Sequence, residues 1–138
     1  SKSFPKNIGT GIIKHANPCG VSIEKDQVNS YQSALDCDPI SAYGGIVSCN
    51  YKISKKLALE LSKIFLEVII ANGFEKDALK ILTQKKSLRL IDSSNLITSN
   101  INNYISNFNT LLIQTPDTVK FRKQNFKTVS KKNQILNS

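Results

Sequence analysis

A chain of 138 residues with 40% apolar and 21% charged side chains is the size of one domain, or part of a larger one, and carries enough apolar surface for a packed core rather than a disordered segment. No apolar run approaches the ~20 residues that cross a bilayer, and the opening SKSFPKNIGTG has neither an apolar h-region nor a cleavage site, so a cytosolic protein with no membrane partner is expected. Cys19, Cys37 and Cys49 are an odd, scattered set that fits reduced thiols better than a disulfide framework, and 19 Lys+Arg against 10 Asp+Glu give a charge of +9, which draws in anions without saying which.

In chain order, IGTGIIKHA at residues 8–16 is an apolar run that ends in Lys14-His15, as a buried strand running into a loop does. NPCG at residues 17–20 then reads as a turn. From Asp26 to about Asp36, Val28, Tyr31, Ala34 and Leu35 recur at helical spacing behind an Asp N-cap. DPISAYGG at residues 38–45 breaks regular structure and feeds the β-branched Ile46-Val47, so a loop and then a strand are predicted. Ser54 caps a helix whose stripe is Leu57, Leu61, Ile64 and Phe65, predicted to end near Phe65.

Glu67 opens VIIA, a continuous apolar run too short for a helix and typical of a buried strand, closed by Asn72-Gly73. Glu75 to about Gln84 is a further amphipathic helix and Leu88 to Ile91 a further strand. This alternation predicts an α/β domain, with a partly parallel sheet and helices on both faces. Residues 93–107, SSNLITSNINNYISN, read as an exposed connection, Leu111 to Ile113 as one more strand, and the stretch from Lys120 to Lys132 as a basic tail with alternation around Phe126 to Val129.

Chemistry concentrates in two stretches. Lys14 beside His15 at a strand end puts a cation and a near-neutral base at one loop, although a lone His is more often structural. Gly44 and Gly45 let a backbone approach a ligand with no Cβ in the way. Tyr43 has the ring to stack on a planar group, but an aromatic there is by default a core residue. Spacing alone leaves these alternatives open.

KHANPCG at residues 14–20, DPISAYGGIV at 38–47 and EVIIA at 67–71, in that order, together resemble the transformylase domain of the AICAR transformylase/IMP cyclohydrolase family, with LLIQTPD at 111–117 and FKTVSKK at 126–132 matching more loosely. The resemblance implies a cytidine-deaminase-like layered α/β fold, its mixed, partly parallel sheet flanked by helices. Residues 1–132 would be part of the transformylase domain, and residues 133–138 a divergent or truncated tail; with no Met at the start or elsewhere, the chain is expected to begin inside a longer reading frame.

The activity implied is formyl transfer from the cosubstrate 10-formyltetrahydrofolate to the 5-amino group of AICAR, with the product closed to IMP by a cyclohydrolase domain elsewhere in the parent. His15 matches the general base, and Lys14 the group that stabilises charge on the formyl oxygen or helps protonate the leaving folate nitrogen. Gly44 and Glu67 match AICAR-binding positions, Tyr43 stands where the family has an aromatic near the base, and Asn17 matches the same loop without an assigned role. The family works as a dimer whose sites draw on both subunits, and its folate and phosphate contacts lie outside this stretch, so the chain is expected to be inactive alone. Asn72 replaces a usual Pro, and Asn109-Thr110 a usual Gly pair.

Two rival readings have less behind them. The deaminase-like fold raises zinc, with His15 and Cys19 as conceivable ligands, but the sequence holds no His-x-Glu and no second Cys beside Pro18-Cys19, so no metal is expected. A basic nucleic-acid-binding module would explain the charge and the tail from Lys120 to Lys132. It lacks zinc-finger spacing and an RRM-like aromatic motif, so no nucleic-acid partner is expected.

Overall fold

The structure, a computed structural model, describes residues 4–96 and 102–115. They fall into two units that divide between residues 96 and 97. The first opens with an antiparallel hairpin, β1 (Gly9–Lys14) and β2 (Asn17–Ile23). Then come α1 (Gln27–Cys37), β3 (Gly45–Cys49), α2 (Lys55–Leu61), β4 (Leu66–Ala71), α3 (Lys76–Leu82) and β5 (Arg89–Asp92). The strands form one sheet in the order β2-β1-β3-β4-β5, with β1 antiparallel to both neighbours and β3, β4 and β5 parallel. The mixed, partly parallel sheet expected from the alternation is therefore present.

The helices are placed differently. Helix α1 touches α2, and α2 touches α3, so the described helices form one layer on one face rather than covering both. The cause is connectivity: each right-handed crossover steps the same way across the sheet, which leaves its helix on the same side each time. Against that layer the strands turn Ile12, Val47, Cys49, Ile69 and Ala71, which join Ala34, Leu57, Leu61 and Leu82 in a single buried cluster. No helix among the described residues is long and apolar enough to cross a membrane.

Local chemistry explains most element boundaries. Asp26 caps α1 by accepting from the backbone N–H groups of Val28 and Asn29, both at 2.9 Å, bonds that also hold its carboxyl below the ordinary carboxylate range. Ser54 caps α2 through the Leu57 N–H. That helix ends at Leu61, short of the predicted Phe65. Beyond it the Phe65 carbonyl is engaged by the Gly44 N–H at 2.9 Å, which draws the chain into β4 before another turn can form.

Two further expectations fail. NPCG is not a turn: Asn17 pairs with Lys14, so the reversal is made by His15 and Ala16 alone, and Pro18 lies inside β2. β2 is an edge strand, where a missing N–H is tolerated, and the register shift opposite Ile12 and Ile13 leaves Cys19 as the extra residue of a bulge. Residues 103–107, read as connection, form β6 (Asn103–Asn107), which pairs antiparallel with β7 (Thr110–Gln114), the strand predicted around Leu111 to Ile113. This hairpin belongs to the second unit. The basic tail from Lys120 to Lys132 and residues 133–138 lie outside the described residues.

Candidate active site

The His15-Ala16 reversal sets the geometry. Both residues have positive φ, 50° and 68°, the pattern of a type I′ hairpin turn whose twist matches the paired strands. That region favours Gly and Asn and tolerates His, whereas for Ala it costs about 1–2 kcal/mol. The turn leaves His15 exposed at the tip of the hairpin, one residue beyond half-buried Lys14. Asn17 donates weakly to the His15 carbonyl at 3.4 Å.

Opposite stands the loop before β3. Asp38 accepts from the Ser41 N–H at 3.0 Å; the Ser41 hydroxyl first, and then this backbone bond, hold the Asp38 carboxyl below its usual range. Ala42 is fully buried and anchors the loop. Gly44 turns the chain at φ 66° and leads into Gly45, whose N–H donates to Ala42. Because Ile13 pairs with Ile46 across β1 and β3, this loop is brought beside Lys14, and the ammonium donates to the carbonyls of Tyr43 at 3.0 Å and Gly44 at 2.9 Å.

The result is a hollow of ≈ 130 Å3 lined by Ile13, Lys14, His15, Gly44, Ile46 and Glu67. Of the six residues singled out from the sequence, Lys14, His15, Gly44 and Glu67 meet here. Tyr43 and Asn17 are not in the lining. Tyr43, 65% exposed as a residue, contributes its backbone carbonyl to Lys14, while its ring tilts against Phe65 at a centroid distance of 5.4 Å. Ile13, Ile46 and Phe65 were missed, since the first two read as ordinary strand residues and Phe65 as part of a helical stripe; the paired β1–β3 register is what puts the two isoleucines side by side. A cation, an imidazole and a carboxylate thus border a partly apolar hollow, a set suited to proton transfer and to charge stabilisation in one place. Among the described residues no three His, Cys, Asp or Glu side chains come together as metal ligands would, and the Cys19 thiol instead donates to the Ile12 carbonyl at 3.5 Å.

A family model described as the AICARFT/IMPCHase bienzyme matches residues 1–137. The chain belongs to this family. Among curated AICARFT/IMPCHase relatives, the bifunctional purine biosynthesis protein PurH of Staphylococcus carnosus is 39% identical over 119 residues, 86% of this chain and 24% of the relative. PurH of Prochlorococcus marinus strain MIT 9515 is 38% identical over 130 residues, 93% of this chain and 25% of the relative. PurH of Acetivibrio thermocellus is 49% identical over 79 residues, 57% of this chain and 15% of the relative. The chain thus spans about a quarter or less of the length of these relatives. Among solved structures, Acinetobacter baumannii RibD is similar with a TM-score of 0.50 at 15% identity, over 62% of this chain and 28% of that one. At that identity the likeness concerns the fold alone, an α/β arrangement around a mixed, partly parallel sheet.

Proposed function

We propose that the chain supplies the reacting end of a formyltransferase site in purine biosynthesis, within a longer polypeptide that also carries IMP cyclohydrolase activity. The substrate is AICAR and the formyl donor 10-formyltetrahydrofolate, and residues 1–132 are part of the transformylase domain. The observation that carries this reading is the convergence of Lys14, His15, Gly44 and Glu67 on one hollow in a chain of this family.

The roles follow from the chemistry. The AICAR amine is a poor nucleophile, because its lone pair is delocalised into the ring and faces a carboxamide, so its proton must leave as it attacks the formyl carbon. His15 takes that proton. Lys14, with two of its three ammonium donors spent on the Tyr43 and Gly44 carbonyls, presents the third to the negative charge developing on the formyl oxygen. As the bond to the folate nitrogen breaks, that nitrogen takes back the proton His15 removed, with Lys14 helping its delivery. Glu67 accepts hydrogen bonds from the nucleotide's amide or ribose, the Gly44 backbone lies against the ligand, and Tyr43 stacks near the base. Asn17 supports the turn that aims His15.

A hollow of ≈ 130 Å3 is smaller than the ~300–1,000 Å3 of an ordinary ligand pocket, which supports a site completed by further chain and by a second subunit in a cytosolic homodimer. The surplus of nine positive charges favours the approach of the nucleotide phosphate and the folate's acidic tail. The test is formyl transfer by the complete polypeptide carrying Lys14→Ala or His15→Ala. Each substitution is expected to lower turnover at least ~100-fold with little change in AICAR affinity. Full turnover in either variant overturns the assignment, and product formed by residues 1–138 alone overturns the claim that the site needs more chain.

A further inference from the structure

Lining the hollow does not account for the backbone of Gly44. Its N–H is tied to the Phe65 carbonyl at 2.9 Å, and its φ of 66° turns its own carbonyl and that of Tyr43 toward the same point, where the Lys14 ammonium sits. A Cβ at position 44 would lie 3.0 Å from the Lys14 Nζ and 3.4 Å from the Phe65 ring. Of these neighbours the Nζ is the far end of a flexible chain and yields first, while the Phe65 ring is held against Tyr43. A side chain here therefore meets the ammonium first among its neighbours, and at φ 66° it also strains the backbone by about 1–2 kcal/mol.

We infer that Gly44 is a positioning residue for Lys14: its left-handed backbone aims two carbonyls at the ammonium, and its missing side chain leaves the room in which the ammonium rests. The inference builds on the proposed function, in which Lys14 has chemistry to do, and adds a role that contact between Gly44 and the nucleotide does not supply. With two donors fixed on carbonyls, one N–H remains, and its direction is set by the backbone rather than by the rotamers of a four-carbon stem. Such preorganisation is what makes a cation effective against a developing charge.

Two measurements test it. In the unsubstituted protein, brief acetylation followed by peptide mass spectrometry compares Lys14 with exposed Lys52; a carbonyl-held ammonium must break both bonds to react, so Lys14 should label about tenfold more slowly, given hydrogen bonds of ordinary strength. Equal labelling overturns the inference with no variant needed. In the complete polypeptide, Gly44→Ala, Lys14→Ala and the double variant are compared in formyl transfer. Gly44→Ala should lower kcat about 10- to 100-fold while KM for AICAR stays within about threefold, and the double variant should fall within about threefold of Lys14→Ala, because residues acting as a unit are not additive. Losses that multiply, or a KM effect without a kcat effect, overturn it in favour of direct nucleotide contact. Slow labelling of Lys14 combined with full turnover of Lys14→Ala would leave the positioning in place and remove the proposed function, so the two claims fail separately.

Discussion

Replacing Ala16 by Gly isolates the strain in the turn that carries His15. Ala16 sits at φ 68°, where an L-residue with a Cβ is disfavoured by about 1–2 kcal/mol. Gly removes that penalty but brings about 0.5–1 kcal/mol of extra backbone entropy in the unfolded chain. The difference leaves Ala16→Gly more stable by about 0.5–1 kcal/mol. With a urea m-value of about 1.5 kcal/mol/M, the midpoint moves up by about 0.5 M. Urea unfolding followed by circular dichroism reads this directly, provided m is unchanged. The same substitution widens the backbone range beside His15, so turnover in the complete polypeptide should fall several-fold as stability rises, the usual relation where strain aims a reacting group. A midpoint that stays put or falls at constant m refutes the strain argument, and higher stability with undiminished turnover refutes its link to His15.

Other consequences are equally direct. A Cβ on Gly20 would lie 1.8 Å from the Ala34 carbonyl oxygen, so Gly20→Ala must push α1 off β2 and should cost about 3 kcal/mol or more; Gly11→Ala, whose new Cβ meets nothing closer than 3.8 Å, is the matched control and should unfold within about 1 kcal/mol of the parent. Burial pushes the Cys49 thiol up to about 11 while Cys37 is exposed, so brief alkylation at pH 8 should mark Cys37 and reach Cys49 only after denaturant is added; early Cys49 labelling would contradict the packing. Burial likewise raises the Tyr31 hydroxyl to about 12. Both groups keep their protons longer folded than unfolded, so their contribution is whole below pH 9 and is lost as pH climbs toward about 11–12, with a slope of about 1.4 kcal/mol per unit for each group; flat stability across that window would show that neither stays protonated in the folded state.

Where the determinants are adjacent in the chain, the sequence was enough. The α1 cap is Asp26 bonding residues two and three places on, and β3 follows the diglycine because the loop chemistry and the β-branched run lie in one stretch. VIIA is too short and too apolar to be anything but an interior strand. The Lys14-His15 pair at the end of a strand was legible for the same reason, as were the stretches holding Gly44 and Glu67 that carry the family resemblance.

What pairing decides was not legible. Neither His15 nor Ala16 is a turn residue by preference, and the left-handed conformation is imposed on them by the Lys14–Asn17 pairing, which carries Pro18 into a strand that its local signals argued against. β6 is a strand only because β7 supplies its hydrogen bonds; its own NYISN has too little pattern to show it. Which face the helices cover was set by the repeated hand of the crossovers. The Lys14 ammonium meets carbonyls 29 and 30 residues away because β1 and β3 pair in one register. Bonds between neighbours along the chain leave a mark in composition and spacing, whereas the direction of a side chain depends on backbone groups that arrive from elsewhere and come together only when the sheet closes.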